Sequence, residues 1–258
     1  MTVEADPLGA LLPVLILCTL HVLAMRVRAV VGEHEQAVVS AAGGVSVAYV
    51  FLHLLPEVAA GAGVVGESLG EVAPRVPLRE IAAFVVALIG FTAFYLAERY
   101  SQDRREHGEQ SQSAGSAFTV HVVAFAVYNV AIALTLPERV AADRLSAAVF
   151  TVAIAVHVLV VDRGLAEKYP HRYARRGRFL LAGALLAGWA VGAIAAPVPA
   201  VVVHVTTALV AGTVLLTVFQ EELPRAGRSR VWPFLSGLAG YSAVLVALAL
   251  LEPPSGGE

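Results

Sequence analysis

Five of the eight histidines fall inside long apolar runs: His21, His53, His121, His157 and His204. Asn129 lies in the same run as His121, and Glu221 and Glu222 stand at the end of another. Imidazole nitrogens and carboxylate oxygens are natural ligands for zinc and other divalent transition metals. In hydrocarbon a polar group without a partner costs about 2 kcal/mol or more, so these side chains should turn inward. Each also has a plainer role. His21 suits a hydrogen bond between packed helices, His204 lies near an outer surface within reach of water, and Glu221 could be a membrane-edge charge near Arg225. His121 shares a helix face with Phe125 and Tyr128, which fits a structural or a pore-lining role equally. His157 and Asn129 are the stronger candidates, because they sit on the two central runs. The Glu106-His107-Gly108-Glu109 cluster could collect metal weakly, but a solvated loop explains it as well. Cys18 is the single cysteine, so no internal disulfide and no zinc-finger spacing exists.

The elements that must position these groups are membrane helices. Hydrophobic residues make up 58% of the 258 and charged residues 15%, well below the quarter or so charged in soluble domains. Such a chain would expose more apolar surface in water than its polar groups could cover, which excludes a soluble enzyme. About 20 apolar residues cross the hydrocarbon layer. Eight runs approach or reach that length, at residues 8–25, 37–55, 81–97, 118–136, 145–161, 179–196, 198–219 and 231–251, and none contains Lys, Arg, Asp or Glu. The sixth and seventh are divided by the Pro197–Pro199 turn, which predicts a tight hairpin. The segment 98–117, rich in Ser, Gln, Gly and charge, is expected to be a mobile cytoplasmic loop. The N-terminus is acidic and lacks the basic start of a cleaved signal peptide, so the first run is expected to be a permanent span.

Fourteen of the eighteen Lys and Arg fall in the connections after spans one, three, five and seven. The remaining four, Arg75, Arg79, Arg139 and Arg144, fall on the opposite side. Positive charge is retained in the cytoplasm, so both termini are expected outside. The expected organisation is one polytopic domain over residues 1–258, in a cell membrane and in contact with the lipid bilayer, with no nucleic-acid partner. Small residues Gly183, Ala187 and Gly192 on span six would permit the close packing of a homodimer.

Two stretches resemble each other. Gly44 to Pro56 and Gly212 to Pro224 share Gly, five residues, Val-Phe, one residue, a polar side chain, one residue, and Leu-Pro. The polar positions are His53 and Glu221. The first lies on span two and the second on span seven, which cross in opposite directions. Spans one to three and six to eight would then be inverted repeats flanking spans four and five, a recurrent plan of secondary transporters.

With these features the chain resembles the ZIP family of divalent-metal transporters. The resemblance rests on eight spans, the long third loop, His53-Leu54-Leu55-Pro56-Glu57 on span two, and Ala211-Gly212 with Glu221-Glu222-Leu223-Pro224 on span seven. It implies an all-α, eight-span fold in a three-plus-two-plus-three arrangement. The family holds a paired metal site on spans four and five with His-Asn-x-Pro-Glu-Gly and a related second motif. His and Glu four residues apart stand on one helix face. Here Tyr128-Asn129-Val130-Ala131-Ile132-Ala133 occupies the first motif and His157-Val158-Leu159-Val160-Val161-Asp162 the second. Asn129 and His157 match; the prolines and the glutamates do not. Asp162 falls one residue beyond the His157 face. The resemblance therefore implies at most one mononuclear metal site, from His157, Asn129, Glu221 and His53.

Three functions follow as expectations. The first is a ZIP-like transporter of zinc or another divalent cation, requiring no resident cofactor and performing no covalent chemistry. The second keeps the fold but has lost metal transport, serving as sensor, scaffold or carrier of a non-metal solute. The third is an intramembrane metal-dependent hydrolase, against which stands the absence of HExxH.

Overall fold

The computed structural model of the chain describes residues 5–72, 81–106, 111–222 and 230–251. The side chains of Glu221 and Glu222 fall outside this description, as do Arg75, Arg79, Arg225 and the 107–110 part of the Glu106-His107-Gly108-Glu109 cluster. The fold is all-α. Among the described residues, eight helices are long and apolar enough to cross a membrane: Pro7–Val27, Glu35–Ser68, Ala82–Asp103, Gly115–Ala142, Arg144–Lys168, Pro170–Ala195, Ala200–Gln220 and Val231–Leu250. They are called spans one to eight below.

The number and order of helices match the apolar runs, but several helices outlast them. Span two does not end at Leu55; it passes through Pro56. A π-helical turn over Val50–Leu54 precedes the proline, and the Leu55 N–H bonds back to the Val50 carbonyl. The wider turn spares the backbone the bond that Pro56 cannot donate, so the helix continues. Span five runs on past Val161 to Lys168, which carries Asp162 into the bundle. The helix of span three continues to Glu106, and that of span four begins at Ser111. Much of the segment expected as a loop is therefore helical. Its reason is packing: Ser101 is fully buried and its hydroxyl reaches the carbonyl of Ala117 at 3.3 Å.

Local signals set the helix starts. Asp6 accepts the Gly9 N–H at 2.7 Å, and Pro7 fills the first helical position, where no N–H is needed. Asp143 accepts the N–H groups of Leu145 and Ser146 at the start of span five. The expected hairpin between spans six and seven is present, with a cis Ala196–Pro197 peptide.

Close helix contacts come in matching pairs. At Gly44 on span two, an added Cβ would run into the Phe234 carbonyl of span eight; at Gly212 on span seven, into the Ala87 carbonyl of span three. Likewise Gly237 of span eight abuts Ala41, and Gly90 of span three abuts Leu209. Gly212 lies 168 positions after Gly44, and Leu209 the same distance after Ala41. Phe234 and Gly237 each lie 147 positions after Ala87 and Gly90. A second π-helical turn, Val218–Glu222, occupies the same place in the Gly212 stretch as Val50–Leu54 does in the Gly44 stretch. On span six, Gly188 and Gly192 abut the carbonyls of Val130 and Leu134 within the same chain, while Gly183 meets nothing.

Candidate functional site

Among the described residues, the buried polar side chains include three networks and a contact at His157. The first joins spans one, four, five and six. His21 and Asp162 are 1% and 0% exposed, and the His21 Nδ1 lies 2.9 Å from both carboxylate oxygens. On its other side the His21 Nε2 is 2.9 Å from the Asn129 Nδ2, which also donates to the Leu181 carbonyl at 3.2 Å. A carbonyl can only accept, so the Asn129 atom facing it is the amide NH2. His21 Nε2 must then accept, which leaves the hydrogen on Nδ1, donated to Asp162. Neither ring nitrogen keeps a lone pair for a metal. The Tyr173 hydroxyl lies beside the same carboxylate. Arg178 donates to the Val22 carbonyl at 3.1 Å nearby.

The second network lies toward the same end of the bundle, between spans three, four and five. Glu98 is 4% exposed, and its carboxylate accepts from the His121 Nε2, from Lys168 at 3.0 Å and from Gln102 at 2.9 Å. The His121 Nδ1 meets the Tyr169 hydroxyl at 3.0 Å. Three donors around one carboxylate satisfy both of its oxygens, which is what lets a charge persist here.

The third network sits at the opposite end, where the chain enters span one. Arg139 is 12% exposed by side chain and bonds Glu57 at 2.7 Å. Its Nη2 donates to Thr207 at 2.9 Å and its Nε to Thr135 at 3.3 Å. The guanidinium also lies 4.5 Å from the centre of the Phe150 ring. Two adjoining cavities of about 330 and 670 Å³ open beside this pair.

The sequence-predicted ligands are distributed over these places. Asn129 belongs to the His21–Asp162 network. His53 lies beside the Arg139 network, stacked on Tyr49 with ring centres 5.4 Å apart. His157 lies between spans, its Nε2 3.4 Å from the Thr217 hydroxyl and its ring edge-on to Tyr128 at 5.7 Å. Glu221 follows Thr217 on the π turn of span seven, and its side chain lies outside the description. The position facing His157 is thus filled by a phenol ring, with Ile132 1% and Val158 1% exposed on the same two helices. Among the described residues, no group of three or more His, Cys, Asp and Glu side chains is placed to hold a metal ion. His204 packs its ring against Gly61.

Glu98, Arg139, Glu57 and Lys168 were not among the sequence candidates. Each lies at or beyond the edge of an apolar run, where a charge looks solvated. Their signal was faint: Glu98 stands one turn or so before Ser101 and Gln102, and Glu57 follows Pro56 directly. No family model, curated protein or solved structure matches the chain.

Proposed function

We propose that this chain is a multi-pass membrane carrier of ZIP-like plan that has given up divalent-metal transport and moves a non-metal solute. The observation that carries this reading is the engagement of the imidazoles. His21 is consumed by Asp162 and Asn129, and His121 by Glu98 and Tyr169. His157 faces Thr217 and the Tyr128 ring where the family places a second His and a Glu. A bare divalent ion needs several anionic or nitrogen ligands to replace its water shell. The interior described offers none in a group.

The carrier half of the reading is supported by the paired contacts. Spans two and three repeat in spans seven and eight with constant spacing, down to matching π-helical turns. That pattern supports an inverted-repeat plan, and the distribution of Lys and Arg supports termini outside the cytoplasm. Buried ion pairs near both ends of the bundle suit a protein with two gated faces.

Transport of a divalent metal is the second reading. One observation favours it: Thr217, which the His157 ring faces, stands four positions before Glu221. Zinc-65 uptake by proteoliposomes separates the two. The proposal expects uptake equal to that of empty vesicles. Uptake above that level, abolished by His157→Ala, would establish the metal transporter instead.

A further inference from the structure

A basic cavity opens at the edge of the bundle, where spans four and six begin. Its volume is about 570 Å³, within the range of small-molecule sites. Three guanidiniums, those of Arg172, Arg175 and Arg176, stand in its walls together with His171. Among the described residues no carboxylate lines it, and Phe118 and Leu180 give it an apolar side. Other guanidiniums toward the ends of the bundle are neutralised: Arg163 by Glu35, Arg144 by Asp6 and Arg139 by Glu57.

The start of span six explains the grouping. Pro170 opens the helix, and a π-helical turn follows over Tyr173–Gly177. Positions 172, 176 and 180 succeed one another at four-residue spacing, so they share a side of the helix, with 175 adjacent. Arg178 turns instead toward span one, where it donates to the Val22 carbonyl at 3.1 Å. On span four, Gly115 makes room for Arg172: an added Cβ there would lie 2.7 Å from the Arg172 Nη1.

Depth and charge together specify an occupant. The apolar runs of spans four and six begin at Phe118 and Phe179. The three arginines precede Phe179, and Leu180, 54% exposed, follows it. The cavity thus straddles the level at which lipid headgroups meet hydrocarbon. Guanidiniums hold phosphate oxygens with paired N–H groups, and basic pockets between membrane helices suit acidic headgroups. A soluble anion would use the guanidiniums and leave the Leu180 side uncovered. We propose that this cavity binds an anionic phospholipid, its phosphate held among Arg172, Arg175 and Arg176 and one acyl chain laid along Leu180. The site is independent of which solute the chain carries, and of whether it carries one.

Native mass spectrometry of the full chain released from detergent tests this, with phosphatidylglycerol and phosphatidylcholine of identical acyl chains titrated separately. Phosphatidylglycerol is expected to bind saturably and about tenfold more tightly. Arg175→Gln and Arg176→Gln should each weaken it about fivefold. Both side chains are exposed, so neither substitution touches the packing of the bundle. Arg26→Gln removes the same charge from an exposed position on the same side, outside the cavity, and should leave binding unchanged. Glycerol 1-phosphate, which has the phosphate without the chains, should not displace the lipid at equal concentration. The proposal is overturned if the two lipids bind alike. It is overturned equally if Arg175→Gln and Arg176→Gln cost no more than Arg26→Gln, which would mean general attraction to a positive face. Displacement by glycerol 1-phosphate at equal concentration would overturn it too, by assigning the cavity to a soluble phosphate ester.

Discussion

His21 and Asp162, 141 residues apart in the chain, face each other across spans one and five, with the imidazole Nδ1 2.9 Å from each carboxylate oxygen. The pair explains how a carboxylate can be wholly buried in an apolar bundle. It also fixes the tautomer of a ring whose second nitrogen is held by Asn129. Removing one member leaves the other buried and unpaired. Asp162→Ala should therefore cost about 3 kcal/mol of stability. Asp162→Asn, which still offers an acceptor to Nδ1, should cost less. Thermal unfolding in detergent measures both, and an Asp162→Ala chain melting with the wild type would show that the pair does not hold the helices together.

The Arg139–Glu57 pair at the opposite end invites a double-mutant cycle. Each single alanine variant strands a charge among Phe150, Thr135 and Thr207, at about 3 kcal/mol. The double variant strands none, so its loss should fall well short of the two single losses combined. Strictly additive losses would mean that the two side chains act independently.

Gly44 and Gly212 should respond alike, because each meets a backbone carbonyl that cannot swing aside. Gly44→Ala and Gly212→Ala are each expected to cost about 1–3 kcal/mol through forced separation of the helices. Gly183→Ala, at a position with no neighbour within 4 Å, should be neutral or slightly stabilising. Purified yield and melting temperature report all three. A large asymmetry between the first two would speak against the two halves packing equivalently.

Eight helices and their order were legible in the sequence, because apolar run length is a direct consequence of bilayer thickness. Gly44 and Gly212, which the likeness of Gly44–Pro56 to Gly212–Pro224 singles out, each make a close helix contact. What run length hides is a charge that stays inside. A run is cut at its first Asp, Glu, Lys or Arg, yet Asp162, Glu98 and Arg139 continue their helices inward because a partner on another span receives them. Those partners are 141, 23 and 82 residues away in the chain, a relation no local pattern displays. Pro56 misled in the same way: it marks a helix end by itself, and only the π turn before it lets span two continue. His21 has the hydrogen-bonding role its setting suggested. Its partner could not be read, since Asp162 falls one residue beyond the His157 face and just past the end of its apolar run.

The proposed function requires that the imidazoles of this bundle do not bind metal. Isothermal calorimetry of zinc into the purified chain tests that most directly, with His157→Ala in parallel. No saturable heat above that of buffer is expected from either protein. Stoichiometric zinc binding by the wild type that disappears in His157→Ala would contradict the proposed function.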